Sequence, residues 1–199
     1  MCGRFFVDPD DMADEELIAL LDRDKEKAEA GHNGRFALGE IRPGDHAAVI
    51  ALNRKLKRSA FLMQWGYHMN NKRLLINARS ETVNEKQFFQ QSIQKRRCLI
   101  PASAYFEWDH REKPLQKYRF YVPEQKPIYL AGIYRFEADS PLPAFTILTR
   151  ESAPNIACFH NRMPVIIPAQ LKDVWLDQTQ EANSILDRAV TNIAWSKAI

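Results

Sequence analysis

The sequence predicts a largely antiparallel α+β fold, formed as a single domain over residues 1–199. After residue 97 the chain breaks into short β-rich runs separated by Pro, Gly or charged turns. Helical periodicity is confined to a few segments, and no repeated strand–helix–strand unit of the kind a parallel sheet needs can be found. Hydrophobic residues make up 45% and aromatics 11% of 199 positions, enough for one sizeable core and too much for a disordered chain. No internal repeat, low-complexity stretch or linker divides the sequence.

The elements follow in order. DPDD after MCGRFFV reads as a turn and helix start. Leu17, Ile18, Leu20 and Leu21 then supply a helical stripe, continued by the solvated DRDKEKAEA run and ended between Gly31 and Gly34. AAVIAL at 47–52 and SAFLMQW at 59–65 read as two strands joined by the basic hairpin loop NRKLKR. RLLIN at 73–77 is a further strand. The T-x-x-E spacing of Thr82 and Glu85 marks a helix start, with Val83, Phe88, Phe89 and Ile93 as its apolar face. RCLIPASAYFEW, KYRFYV, PIYLAGIYRF, AFTILT and MPVIIP are strand-like, and QLKDVWL suggests a short late helix.

Charge and cysteine content narrow the function classes. Net charge is +3, from 28 basic and 25 acidic residues, too mild a balance to argue for nucleic acid without local clustering. Two basic clusters exist, Arg54, Lys55, Lys57 and Arg58, and Lys95, Arg96 and Arg97. Aromatics near the candidate site, Trp65, Phe106 and Trp108, would suit stacking on unpaired bases. The three cysteines, Cys2, Cys98 and Cys158, are odd in number and widely spaced, which argues against a disulfide framework. With no C-x-x-C pair, no structural zinc site is expected. No basic leader or membrane-length apolar run is visible, so a reduced, cytoplasmic protein with no membrane partner is expected.

Four places hold polar residues that chemistry could use. Cys2 follows Met1, which aminopeptidases generally remove before a small residue. Removal would leave an α-amine, titrating near ~7.7–8.0 rather than the ~10.4 of lysine, beside a soft thiol. An aldehyde could form a Schiff base with that nitrogen, and the sulfur could close a thiazolidine. Position alone favours the plainer reading, that Cys2 is merely a small residue near the start. Glu107 lies inside the apolar run AYFEW. There burial would raise its pKa toward acid–base use, unless strand alternation points it to solvent. In FHNRMP, His160 suits proton transfer and Arg162 suits phosphate or carboxylate binding, although a lone histidine is more often structural. NARSET lies between a strand and a helix start, where Arg79 could hold an anion and Asn77 could orient a reacting group. A plain capping sequence would look the same.

Taken together, MCGRF, INARSET, RRCLIPASAYFEW and HNRMPVII, in that order along nearly the whole chain, resemble the SOS response-associated peptidase family, whose members are also described as abasic-site processing proteins. The resemblance implies a compact pseudo-barrel β-sheet core with flanking helices. It implies Cys2 as the nucleophile exposed by Met1 removal, capturing the aldehyde of an abasic deoxyribose in single-stranded DNA as a stable thiazolidine. Asn77 would position the amine or sugar, Glu107 would shuttle protons, and His160 would assist Schiff-base formation and ring opening. Arg4, Arg79 and Arg162 fall where the family contacts phosphates, Trp65 and Gly66 match a WG pair lining the DNA groove, and Thr149 matches a site-proximal threonine. Neither metal nor organic cofactor is implied, and a monomer is expected. The chain departs from the family pattern at Asn161, where an acidic residue is usual, at GEIRPGD over 39–45, and at WGYHM.

Two other function classes fit the same residues. A thiol hydrolase would use Cys2, His160 and Glu107 as nucleophile, base and orienter, with Met1 removal as a limited form of that activity. A non-catalytic single-strand binder would use the basic clusters and aromatics alone, with salt-sensitive affinity indifferent to an aldehyde.

Overall fold

The computed structural model describes residues 2–12, 14–15, 17–20, 37–70, 73–123 and 125–198. Two sheets carry the architecture. The smaller has five strands in the order β15-β10-β9-β1-β2. These are β1 (Phe5–Val7), β2 (Gly39–Ile41), β9 (Ala104–Asp109), β10 (Gln116–Tyr121) and β15 (Ala194–Lys197), all paired antiparallel.

The larger sheet contains β3 (His46–Leu52), β4 (Arg58–Trp65), β8 (Arg97–Ala102), β11 (Ile128–Arg135), β12 (Ala144–Glu151), β13 (Arg162–Pro164) and β14 (Ile166–Ile167), with β7 (Asn77–Arg79) added beside β12. Its path β12-β4-β3-β8-β11 returns to β12, so these strands form a sheet ring. The fold is α+β and mainly antiparallel, as predicted. The exceptions are the parallel pairings of β12 with β4 and with β7. A small hairpin of β5 (Tyr67–His68) and β6 (Leu74–Leu75) follows β4.

The run RCLIPASAYFEW is not one strand. It breaks at Ser103, whose amide donates to the Phe6 carbonyl at 2.7 Å and whose hydroxyl accepts from the Asp8 amide at 2.9 Å. Those bonds divert the chain from the larger sheet (β8) into the smaller (β9), so this one motif serves both. RLLIN likewise breaks, into β6 and β7, at Ile76.

Helices are short and peripheral: α1 (Gln87–Lys95), α2 (Lys172–Leu176) and α3 (Ala182–Leu186). Helix α1 begins later than the capping spacing suggests. Thr82 and Glu85 lie in a run of turns, with the Glu85 and Lys86 amides on the Thr82 carbonyl at 3.2 and 3.1 Å, and the residue flanking α1 is Lys86, which makes no side-chain cap. Phe89 and Ile93 are buried, whereas Phe88 is half exposed. DPDD forms a 3-10 turn at Pro9–Asp11, capped by Asp8 Oδ1 accepting from the Asp10 amide. Residues 15 and 17–20 are helical, with Leu17 buried and Ile18 exposed. Leu21 and the charged run to Gly34 lie outside the described residues. No helix among the described residues is long and apolar enough to cross a membrane.

Candidate active site

The two sheets meet at the start of the chain. β1 runs antiparallel to β9 with Phe5 opposite Tyr105, and the Phe106 amide donates to the Arg4 carbonyl at 3.0 Å. That register lays the residues before Phe5 alongside Glu107 and holds Cys2 wholly buried. From the larger sheet, Asn77 at the start of β7 donates its Nδ2–H to the Cys2 carbonyl at 3.0 Å. Its other amide atom, Oδ1, is buried with no hydrogen-bond partner among the described residues, leaving an acceptor in the site.

Strand alternation decides the orientation of Glu107. On β9 it shares a face with Tyr105, whose ring stacks on Phe120 in the core at 5.1 Å. Glu107 therefore points inward and is 7% exposed, while Phe106 and Trp108 occupy the opposite face beside Lys117, whose Nζ lies 4.0 Å from the Phe106 ring centre. Burial, and next the nearby Glu107 charge, push the Cys2 thiol far above its ordinary value, so Cys2 carries a neutral S–H. Its Sγ faces the Arg4 carbonyl at 3.9 Å. Tyr105 belongs to this group too, and burial, the largest cause, raises its hydroxyl well above the ordinary value. Its position two residues before Glu107 was the signal for it.

The remaining candidates gather on β12 and its neighbours. β7 and β13 flank this strand, with Thr149 opposite both Arg79 and Pro164. Thr149 is buried and Arg79 is exposed. The Arg162 amide donates to His160 Nδ1 at 2.9 Å. The same nitrogen lies 3.2 Å from the Arg162 carbonyl, so the Arg162 backbone fixes this edge of the ring. Arg162 grips Glu81 through both terminal nitrogens, at 2.7 and 2.8 Å, and the Thr149 carbonyl at 2.6 Å. Glu81 belongs to NARSET but was not singled out from sequence.

The expectation for Trp65 needs correction, and the surroundings of other expected residues are now visible. Trp65 is 0% exposed and cannot offer a face to a base. Its ring stacks with Phe145, at 6.3 Å between ring centres and 6° between planes, and its Nε1–H donates to the Ile76 carbonyl at 3.1 Å. Gly66 is a packing requirement: at φ +110 a Cβ would lie 2.8 Å from Leu74 Cβ. Of the cluster Lys95, Arg96 and Arg97, the last is withdrawn from the surface: Arg97 is buried against Trp175 and donates to the Gln180 carbonyl at 3.0 Å, while Lys95 stays exposed. Arg4 is half-buried and pairs with Glu40 at 3.3 Å. Among the described residues no cluster of three or more His, Cys, Asp or Glu side chains could hold a metal ion.

Comparison with known proteins finds relatives over most of the chain. The chain is similar to abasic site processing protein YoaM of Bacillus subtilis, 28% identical over 192 residues, covering 89% of this chain and 79% of YoaM. It is also similar to abasic site processing protein YedK of Escherichia coli, 26% identical over 182 residues, covering 89% of this chain and 80% of YedK. A crystal structure of a phage-related protein from Bordetella bronchiseptica shares the fold, with TM-score 0.75 at 24% identity over 99% of this chain and 94% of that one. The family model for SOS response associated peptidase (SRAP) matches residues 1–197, with Cys2, Asn77, Glu107 and His160 all inside the match, and the chain belongs to that family.

Proposed function

We propose that this protein processes abasic sites in DNA, capturing the open-chain sugar aldehyde in single-stranded DNA through the aminothiol of Cys2 once Met1 is removed. The observation that carries this reading is the Asn77 Nδ2 bond to the Cys2 carbonyl at 3.0 Å. It holds Cys2 at the sheet junction beside Glu107, where the aminothiol would meet a buried carboxylate and an amide. The names of the relatives in Bacillus subtilis and Escherichia coli point to the same substrate.

The Cys2 nitrogen attacks the aldehyde carbon, forming a C–N bond while a proton passes to the carbonyl oxygen. Loss of that oxygen as water gives the Schiff base. Cys2 Sγ then bonds to the same carbon, and the thiol proton moves to nitrogen, closing the thiazolidine with one water released overall. Glu107 relays protons at the nitrogen and sulfur, and the Asn77 Oδ1 acceptor orients the amine. His160 donates a proton to the sugar oxygen during ring opening. The exposed Arg79 binds phosphate, and neither metal nor organic cofactor enters these steps.

This order needs no thiolate at the outset, because the amine strikes first and the S–H adds across a formed C=N. A thiol hydrolase would instead need the thiolate as its attacking species. The processed protein is incubated with a single-stranded oligonucleotide bearing one abasic site and run on a denaturing gel after heating. A heat-stable adduct, lost in Cys2→Ala, is the expected result. No adduct with wild type, or an undiminished one with Cys2→Ala, overturns the proposal.

A further inference from the structure

We propose that Tyr105 is a further catalytic residue of this site: its hydroxyl donates a hydrogen bond to the sugar carbonyl oxygen while the Cys2 nitrogen attacks the aldehyde carbon. The inference deepens the proposed function and rests on an abasic-sugar aldehyde being the substrate.

The backbone register brings this side chain to the site. Tyr105 faces Phe5 across β9 and β1, and the Phe106 amide holds the Arg4 carbonyl at 3.0 Å, so Cys2 lies a short way along the same pairing. Tyr105 and Glu107 share the inward face of β9, roughly 7 Å apart along the strand. The ring is fixed by its neighbours. It stacks on Phe120 at 5.1 Å, Phe120 meets Phe159 edge-on at 5.3 Å, and Phe159 is the residue before His160. Tyr105 therefore stands between the Cys2 and Glu107 side of the site and the segment that carries His160. Packing on Phe120 restricts where its hydroxyl can turn.

That hydroxyl is what the fold leaves unused. Tyr105 is 1% exposed, yet its oxygen has no hydrogen-bond partner among the described residues. A buried O–H without an acceptor costs stability and calls for a reason. Asn77 Oδ1 is a second buried atom of the site without a partner. It can only accept, whereas the hydroxyl can donate. The two divide the reacting groups between them: Asn77 Oδ1 accepts from the amine, and Tyr105 donates to the oxygen. Negative charge gathers on that oxygen as the C–N bond forms, and a donor already in place, away from water, stabilises it. Burial, the largest cause, and the neighbouring Glu107 carboxylate both raise the hydroxyl, so it donates a hydrogen bond and keeps its proton. The two protons that turn the carbonyl oxygen into water both leave the attacking nitrogen, relayed by Glu107, and none is taken from Tyr105.

The test compares wild type with Tyr105→Phe, which removes the hydroxyl and keeps the ring on Phe120. Single-turnover adduct formation with an abasic single-stranded oligonucleotide is timed on denaturing gels, with and without cyanoborohydride to trap the Schiff base. Thermal melts and binding of the intact oligonucleotide are measured alongside. We expect Tyr105→Phe to slow the adduct about 10²-fold, to lower the trapped Schiff base in step, and to bind intact DNA as wild type does. It should melt no lower than wild type, since it loses an unpartnered buried group. An unchanged rate overturns the proposal. So does a lowered melting temperature, which would make the hydroxyl part of the fold's own bonding, or a Schiff base that accumulates, which would place the residue at ring closure. A wild type that forms no adduct defeats the proposed function and this role with it, whereas a normal wild type with an unimpaired Tyr105→Phe defeats this role alone.

Discussion

Asn77 and Cys2 lie 75 residues apart and are joined by one hydrogen bond, Nδ2 to carbonyl oxygen at 3.0 Å. The bond crosses from the larger sheet to the segment that leads into β1 of the smaller one. It therefore serves the site and the fold together.

Asn77→Ala leaves the buried Cys2 carbonyl without its donor. A loss of about 1–3 kcal/mol in stability follows, together with a drop of at least about tenfold in adduct rate from the loosened terminus. A denaturant titration and a gel time course on the same sample measure both. A stability loss with an unchanged rate would make Asn77 purely architectural.

Glu107→Gln keeps the shape of the side chain and removes its proton-relay capacity. Since the residue is inward-facing and buried, the effect should fall on rate. The expected slowing is about 10²–10⁴-fold, with binding of intact single-stranded DNA unchanged. The gel assay and a binding titration separate the two.

Stability should fall on the alkaline side. Burial raises the Cys98 thiol well above its ordinary value, so the folded protein holds this proton longer than the unfolded chain does. The stabilisation is complete below the unfolded thiol value near ~8.5 and declines above it, by about 1.4 kcal/mol per pH unit for each such group. Cys2, Tyr67 and Tyr105 act in the same direction. Cys98→Ala should flatten this decline by one group's share in melts above pH 9.

On the acid side the sign reverses. The folded protein holds the Glu81 carboxyl at about 2 through Arg162, against 4.5 ordinarily. Its stabilisation is complete above about 4.5 and is lost as pH falls toward 2. Glu81→Gln should show a shallower loss of stability across that window, as read by thermal melts. An equally steep loss would mean that Arg162 is held by Thr149 alone.

Gly66→Ala is expected to destabilise by about 1–3 kcal/mol, because a Cβ there lies 2.8 Å from Leu74 Cβ and the φ of +110 strains any L side chain. A melting curve checks it. If stability is unchanged while DNA binding falls, the glycine belongs to a DNA surface.

The site residues were legible to very different degrees. Cys2, Asn77, Glu107 and His160 stood out because each is a chemistry-bearing side chain in an apolar or turn-bounded motif. Trp65 misled for the complementary reason: a tryptophan beside a glycine reads the same on a groove wall as under one. Glu81 passed unnoticed because a glutamate following Arg79 and Ser80 in a turn looks like surface. Its importance comes from Arg162, 81 residues later. Capping spacing at Thr82 and Glu85 failed because those residues form turns of their own ahead of α1.

By itself the sequence determined the fold class, the motif order and the chemical inventory, because alternation, turn residues and side-chain chemistry are local properties. It also brought out the aminothiol that removal of Met1 would expose. Which side chains meet was decided by tertiary structure alone. Ser103 sends one continuous apolar run into two sheets, and that division places Glu107 and Cys2 on one side and Asn77 on the other. Burial, ion pairing and the direction of a shifted pKa depend on neighbours that are far away in sequence, so the protonated state of Cys2 and the closed fork of Arg162 appear only once the sheets have come together.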